Sequence, residues 1–163
     1  MEPEIVELDE MTVVGIQSLI SSKHNLILKL WEKFMIRNKE VKHMSNKNAA
    51  FGVSFDMQEI PSEGEDAKKE YQFFHLVGLT VDSTNNIPEG MTYKKVPAHK
   101  YAKFTHKGLL SKLEKTYNDI FSGWLPASEY EYAGDSGCDL EWYDDRFKMD
   151  SEESEFDIYV PIK

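Results

Sequence analysis

The stretch DLEWYDDRF, Asp139–Phe147, places an acid inside an apolar run. Read as a strand, it alternates its side chains, so Glu141 shares one face with Asp139 and Tyr143 while its sequence neighbours point to the other face. A carboxylate beside apolar surface costs free energy unless it is paired. Two interpretations are open at this point. Glu141 faces water on an edge strand, or it lies in a cleft where it meets a cationic ligand or a transferred proton.

Outward from this stretch, the chain consists of strands and helices whose order repeats. The order strand, strand, helix, strand, strand occurs in residues 1–84 and again in residues 90–163. Apolar residues at helical spacing predict a helix over about residues 22–40 in the first part and 108–122 in the second. The run DSTNNIPEG, Asp82–Gly90, is rich in turn formers and joins the two parts.

Two such units predict an α+β protein, because each unit covers one sheet face with one helix. If the two sheets join edge to edge, both helices lie side by side on one curved face. The groove between them is then a natural pocket. The length fits one domain or two small fused units, and we expect one domain over residues 1–163 that contains both repeats.

The composition limits the classes of partner. A chain of 163 residues with 40% hydrophobic residues is long enough for a sizeable core. Its net charge of −10 and its lack of a basic stripe argue against direct nucleic-acid binding. One cysteine, Cys138, excludes an internal disulfide and fits a reducing compartment. No stretch approaches the roughly 20 apolar residues that span a bilayer. We therefore expect a cytoplasmic protein that contacts neither membrane nor nucleic acid directly.

The sequence offers no ligand set for a metal or a cofactor. Its histidines lack the spacing of a metal site, and a single cysteine cannot complete a zinc site. His75 lies on an apolar strand face with no acid spaced to orient it, so we expect a satisfied core histidine. Cys138 has no local signature of a nucleophile. We expect neither cofactor nor metal.

A series of motifs in the second half carries a family resemblance. In order, they are VPA (Val96–Ala98), YAKFTHKG (Tyr101–Gly108), WLPASEY (Trp124–Tyr130), EWYDDRF (Glu141–Phe147) and EFDIYVPIK (Glu155–Lys163). This half resembles the GyrI-like small-molecule-binding domain, the effector-binding domain of AraC-type and MerR-type multidrug regulators. The first half matches only in its order of elements. Both predicted helices belong to the repeat and leave none for a helix-turn-helix, so the chain is identified as a free-standing member.

The resemblance implies a fold and a site. The fold is a pair of βαββ units forming a curved antiparallel sheet with two helices on one face. The pocket between the helices takes bulky compounds that are often cationic and aromatic. An acid on the penultimate strand lies at the pocket floor in this family and meets the ligand's positive charge, and Glu141 matches that position.

Aromatic side chains are the expected partners of Glu141, since a ring beside a carboxylate makes a good site for a cation. Tyr143 shares its strand face, and Trp31 lies on the apolar stripe of the first helix. Core packing is the other role of aromatic residues at such spacing. The predicted ligand contacts are Glu141, Tyr143, Trp31, Phe55, Phe73, Trp124 and Tyr159.

Three functions are open from the sequence. The first is binding of a hydrophobic, cationic or polycyclic small molecule, with Glu141 supplying the charge. The second is hydrolysis: some free-standing members are similar to enzymes that open cyclopropane-bearing natural products, and Glu141 would then be catalytic. The third is a protein-interaction role, such as modulation of a topoisomerase, which the family's name implies for some members.

Overall fold

Eight strands follow the predicted order in the computed structural model, which describes residues 2–21, 26–60 and 70–163. Each half contributes four of them. Their bounds are β1 Glu4–Leu8, β2 Met11–Ser21, β3 Ala50–Ile60, β4 Glu70–Val81, β5 Thr92–Val96, β6 His99–Lys107, β7 Asp139–Tyr143 and β8 Glu155–Pro161.

One helical segment follows the second strand of each half. The first is α1, Ile27–Arg37, which continues into the 3₁₀ turn Asn38–Glu40. The second spans residues 110–127 and contains, in order, the 3₁₀ turn Leu110–Lys112, α2 (Leu113–Asn118), the π-helical stretch Asp119–Trp124 and α3 (Leu125–Ala127).

The second helical segment, residues 110–127, ends later than the sequence predicts. Pro126 disfavours helix at Leu125, yet Leu125 is helical and the segment continues to Ala127. Trp124 and Leu125 pack against the buried core beneath the segment, and this tertiary packing overrides the local preference. The residues predicted to cap the first helix, Ser22 and Asn25, lie outside the described residues, as does the predicted charged loop over residues 61–69.

All eight strands form one antiparallel sheet in the order β1-β6-β8-β7-β3-β4-β2-β5. Three strands of each half lie together, and β7 pairs with β3 where the halves meet. The first strand of each half crosses over: β1 pairs with β6 of the second half, and β5 pairs with β2 of the first. These two pairs and the β7–β3 pair join the halves, and the protein has the predicted α+β class.

Both helical segments cover the same face of the sheet. Leu30 and Phe34 of α1 pack on Val77 and its neighbours at one side, and Ile120 packs on Ile158 and its neighbours at the other. We call this side the helix face. The opposite face carries its own buried cluster, which includes Val53, Leu140 and Tyr101. Because side chains alternate, the register assigns every strand residue to one face or the other.

Two facing glycines allow β2 and β4 to approach closely. Gly15 pairs with Gly78. A Cβ built on Gly78 would lie 2.1 Å from the carbonyl oxygen of Val14, which no side chain tolerates. The glycines are thus required by the backbone approach at this point. In the described parts of the chain, no helix is long and apolar enough to cross a membrane.

Candidate functional site

An open cavity of about 1010 Å³ lies beside α1 on the helix face, where Ala50, Leu79 and Tyr143 of the sheet contribute to its wall. Its size is that of a site for a drug-sized molecule. Apolar side chains form most of its wall, and the polar part of the lining comes from Asn38, Asn46, Lys47, Asn48, Asp144 and the exposed Asp145. The apolar lining comes from Leu28, Trp31, Phe34, Met35, Ala49, Ala50, Leu79, Leu110, Trp142, Tyr143, Phe147 and Met149.

Glu141 lies next to Tyr143, which lines this cavity, and two phenols donate hydrogen bonds to it. Glu141 is only 9% exposed. Tyr117, from the second helical segment, donates a hydrogen bond to Oε2 at 2.5 Å, and Tyr143 donates one to Oε1 at 2.8 Å. In the described parts of the chain, Glu141 makes no ion pair. The carboxylate is therefore buried and hydrogen-bonded, with no countercharge from the residues that the structure describes.

The two tyrosines remain donors because burial raises the pKa of both hydroxyls well above the usual value. The negative charge of Glu141 adds to this rise in each case. Each phenol therefore keeps its proton at neutral pH and directs it to the carboxylate.

Tyr143 connects the carboxylate to the cavity. Its ring forms part of the cavity wall and meets the edge of Trp31 at a centroid distance of 5.1 Å. On its other side it stacks on Phe156 at 4.5 Å. Its hydroxyl reaches Glu141, so the carboxylate lies behind the ring rather than on the wall itself.

A second carboxylate, Asp139, lies two residues before Glu141 on the same face of β7. Tyr132 donates a hydrogen bond to it at 2.9 Å. Burial raises the pKa of Asp139 to about 7; the hydrogen bond from Tyr132 opposes this rise and the charge of Glu141 adds to it. Two acids therefore lie on one face of β7, and each accepts a hydrogen bond from a tyrosine hydroxyl.

His75 completes a polar row across three neighbouring strands. Ser54 pairs with Asp139 on one side and with His75 on the other. The Ser54 Oγ lies 2.7 Å from His75 Nδ1, whereas His75 Nε2 has no hydrogen-bond partner within the residues described. Burial lowers the pKa of His75, and Glu141 opposes that shift. The prediction of a satisfied core histidine is correct for its burial and wrong for this nitrogen.

The structure brings together three of the seven predicted contacts. Glu141, Tyr143 and Trp31 form a continuous group from the buried carboxylate to the cavity wall. Phe73 shares the helix face but lies beside His75, at a ring distance of 6.3 Å. Trp124 lies in the second helical segment, where it packs edge-on against an aromatic side chain of β6.

Phe55 and Tyr159 lie on the opposite face of the sheet. In β3, the small residues face the helices, whereas Phe55 faces away and stacks on Phe74. In β8, Ile158 faces the helices, so Tyr159 turns away and meets Trp142. Side chains alternate along β3 and β8, so both rings lie on the face of the sheet opposite to Glu141. The residues of β3 that face the helices are small.

Sequence reasoning missed Tyr117, Tyr132 and Asp139 as site residues. Tyr117 lies on the apolar stripe of its helix, where nothing distinguishes it from a core aromatic. Tyr132 lies in a loop, and its pairing with Asp139 depends on tertiary structure. Of these three residues, only Asp139 could have been identified from the sequence, because it is an acid on the same strand face as Glu141. No group of three or more histidine, cysteine or acidic side chains suited to a metal ion occurs in the described residues.

The fold and the sequence together match a domain of the effector-binding class. A family model, Cass2, described as integron-associated effector binding protein, matches residues 4–162, and the chain belongs to this family.

The relatives agree with this class. The chain is 32% identical over 163 residues to the transcriptional regulator BrlR of Pseudomonas aeruginosa, covering 99% of this chain and 56% of BrlR. It therefore spans about half the length of that regulator. The structure of SAV2435 bound to tetraphenylphosphonium superposes with a TM-score of 0.74 at 17% identity, covering 100% of this chain and 94% of that one. The Vibrio cholerae integron cassette protein matches with a TM-score of 0.65 at 16% identity, covering 99% and 96%.

Proposed function

We propose that this chain binds a hydrophobic organic cation in the cavity between α1 and the second helical segment, with Glu141 as the charge partner. The observation that carries the proposal is a buried carboxylate that has no countercharge among the described residues and that accepts a hydrogen bond from Tyr143, an aromatic residue of the cavity wall. Membership of an effector-binding family and the tetraphenylphosphonium complex of SAV2435 support the same class of ligand.

Glu141 suits this role better than the two acids at the cavity edge. Asp144 already pairs with Arg146, whose Nε lies 2.9 Å from its Oδ1. Asp145 is exposed, so water and salt screen its charge. Glu141 lies in a region of low dielectric, where a charge acts more strongly on a nearby cation.

Tyr143 transmits the charge of Glu141 to the cavity. A cation against the face of an aromatic ring is attracted by the ring's electrons. A phenol that donates its proton toward a carboxylate becomes more electron-rich, so the hydrogen bond to Glu141 strengthens that attraction. This arrangement accepts a permanently charged cation that has no hydrogen to donate.

The size of the effect follows from the desolvated charge. Two opposite unit charges about 8 Å apart attract each other by about 2 kcal/mol at an effective dielectric constant of about 20. Since 1.4 kcal/mol is a factor of ten, removing the charge of Glu141 weakens cation binding by roughly ten- to a hundredfold. A neutral ligand of similar shape retains its affinity, because its binding depends on apolar area.

The test is isothermal titration of the wild type and Glu141→Gln with tetraphenylphosphonium and with neutral triphenylphosphine oxide. We expect the substitution to weaken only the cation. Asp145→Asn is the matched control: it removes the same charge from the exposed edge of the cavity and leaves both affinities nearly unchanged. Equal loss of tetraphenylphosphonium in both variants, or no loss in Glu141→Gln, would refute the role of Glu141.

A further inference from the structure

Four polar residues of the cavity wall have no role in holding a cation beside Tyr143. They are Asn38, Asn46, Lys47 and Asn48, and each side chain carries hydrogen-bond donors. In the described parts of the chain, the Lys47 ammonium group makes no ion pair. Amide and ammonium donors that line one cavity are suited to an anionic group, because it accepts hydrogen bonds and supplies a countercharge.

These donors flank the connection between the end of α1 and the start of β3. Asn38 follows the last residue of α1, seven positions after Trp31, which is about 10 Å along the helix axis. Asn46–Asn48 precede Ala50, the first residue of β3, which pairs with Tyr143. The polar residues therefore lie at one end of the cavity, beyond the aromatic contact between Trp31 and Tyr143. A polycyclic ligand can span both regions.

A hydrogen bond fixes the turn that contains Lys47. Asn46 Oδ1 accepts the backbone N–H of Asn48 at 2.9 Å, and the Ser45 N–H donates to the carbonyl oxygen of Thr80 at 2.9 Å. Because a backbone N–H bonds only to an acceptor, the first contact uses the oxygen of the Asn46 amide and leaves its NH₂ group available. The turn is thus anchored to β4, and Asn46 and Lys47 offer donors to a ligand.

The two acids of the cavity wall leave the charge of Lys47 unpaired. Asp144 accepts two hydrogen bonds from Arg146, at 2.9 Å from Nε to Oδ1 and at 2.9 Å from Nη2 to Oδ2. Asp145 is exposed, and it makes no ion pair among the described residues. Lys47 is the one cation among the described residues that line the cavity. Its charge is therefore available to an anionic group of the ligand.

We propose that the preferred ligand of this cavity is a zwitterion whose anionic group, such as a carboxylate, binds to Lys47 and the neighbouring amides. This inference rests on the proposed function and narrows it: the cationic part lies against Tyr143, and the anionic part lies at the polar end of the cavity. A hydrophobic cation without an anionic group, such as tetraphenylphosphonium, uses only the aromatic wall and leaves Lys47 unpaired.

The experiment compares two dyes that share one aromatic cation. Rhodamine 110 carries a carboxylate, and rhodamine 123 is its methyl ester, so the two dyes differ by a single charge. Both are titrated with the protein at pH 7 and followed by fluorescence anisotropy. In the wild type we expect rhodamine 110 to bind about fivefold more tightly, the upper end for an ion pair at a partly exposed site. The net charge of −10 favours the ester, so a preference for the carboxylate requires a local cation.

Lys47→Met removes the ammonium charge and keeps an apolar side chain of similar length. We expect the ratio of the two dissociation constants to fall from about five to about one or below. Lys42→Met is the matched control: Lys42 is exposed and does not line the cavity, so the ratio stays at the wild-type value. Asp145→Asn removes an acid that repels the carboxylate, and it raises the ratio.

A wild-type ratio of one or below would overturn the inference, as would an equal ratio in the wild type and Lys47→Met. A lack of saturable rhodamine 110 binding would also overturn it. Failure of the proposed function has a different signature, because Glu141→Gln then leaves the affinity for tetraphenylphosphonium intact. The ratio for the two dyes does not depend on Glu141, since both dyes carry the same cation.

Discussion

Tyr117→Phe removes one of the two hydrogen bonds that hold the buried charge of Glu141. The substitution deletes the hydroxyl that lies 2.5 Å from Oε2 and keeps the ring, which stacks on Phe121. Glu141 retains its bond from Tyr143. A hydrogen bond to a buried charged group contributes about 1.5–3 kcal/mol, so we expect the free energy of unfolding to fall by that amount at pH 7.

A double-mutant cycle attributes this loss to the charge of Glu141. Urea denaturation is followed by circular dichroism for the wild type, Tyr117→Phe, Glu141→Gln and the double variant. A hydrogen bond from a phenol to a neutral amide contributes less to stability than one to a carboxylate. In the Glu141→Gln background, Tyr117→Phe therefore lowers the free energy of unfolding by about 1 kcal/mol or less. Tyr130→Phe is the control, because its ring stacks on Trp124 and its hydroxyl makes no hydrogen bond within the described residues.

Two results would refute the reasoning. One is a free energy of unfolding for Tyr117→Phe within about 0.5 kcal/mol of the wild type, the range of an uninvolved surface site. The other is an equal loss in both backgrounds, which would mean that Tyr117 contributes through packing rather than through the charge of Glu141.

Three further substitutions test other parts of the structure. We expect Gly78→Ala to prevent folding, because its Cβ would lie 2.1 Å from a carbonyl oxygen. The measurement is a thermal melt followed by circular dichroism, in which the variant would show no unfolding transition. Gly123→Ala is the control and folds normally, since its Cβ meets nothing within 4 Å. Asp139 has a folded pKa of about 7, above the ordinary 3.8, so the wild type loses stability as pH rises through that interval. Urea denaturation at pH 5 and pH 8 should therefore show Asp139→Asn gaining stability relative to the wild type at the higher pH. Arg146→Met leaves Asp157, which is 4% exposed, without its nearest cation; we expect a loss of about 2 kcal/mol in urea denaturation, recovered in part by adding Asp157→Asn.

The architecture could be predicted from the sequence, because the periodicity of apolar residues and the order of the elements are local properties. The alternation in β3 and β8 and the helical stripe of α1 are visible in the residues themselves, and their repeated order predicts the α+β sheet with both helices on one face. The exchange of β1 and β5 between the halves is not visible, since antiparallel pairing partners depend on the whole fold.

The candidate site was predictable where its residues share a strand or lie on the apolar stripe of the first helix, as Trp31 does. Glu141 and Tyr143 are two residues apart, so alternation places them together without tertiary information. Tyr117 reaches Glu141 from a helix, and no spacing rule connects them. Phe55 and Tyr159 are large rings that suggest a ligand contact, yet both face away from the helices, whereas the small residue Ala50 lines the cavity.

The location of the bound cation tests the central claim most directly. We would determine a crystal structure of this chain with tetraphenylphosphonium. We expect the phenyl rings to fill the cavity against Trp31 and Tyr143, with the phosphorus beside the Tyr143 ring on the side that leads to Glu141. A cation bound on the opposite face of the sheet, or one held at the exposed edge by Asp145 away from Tyr143, would contradict the proposed site.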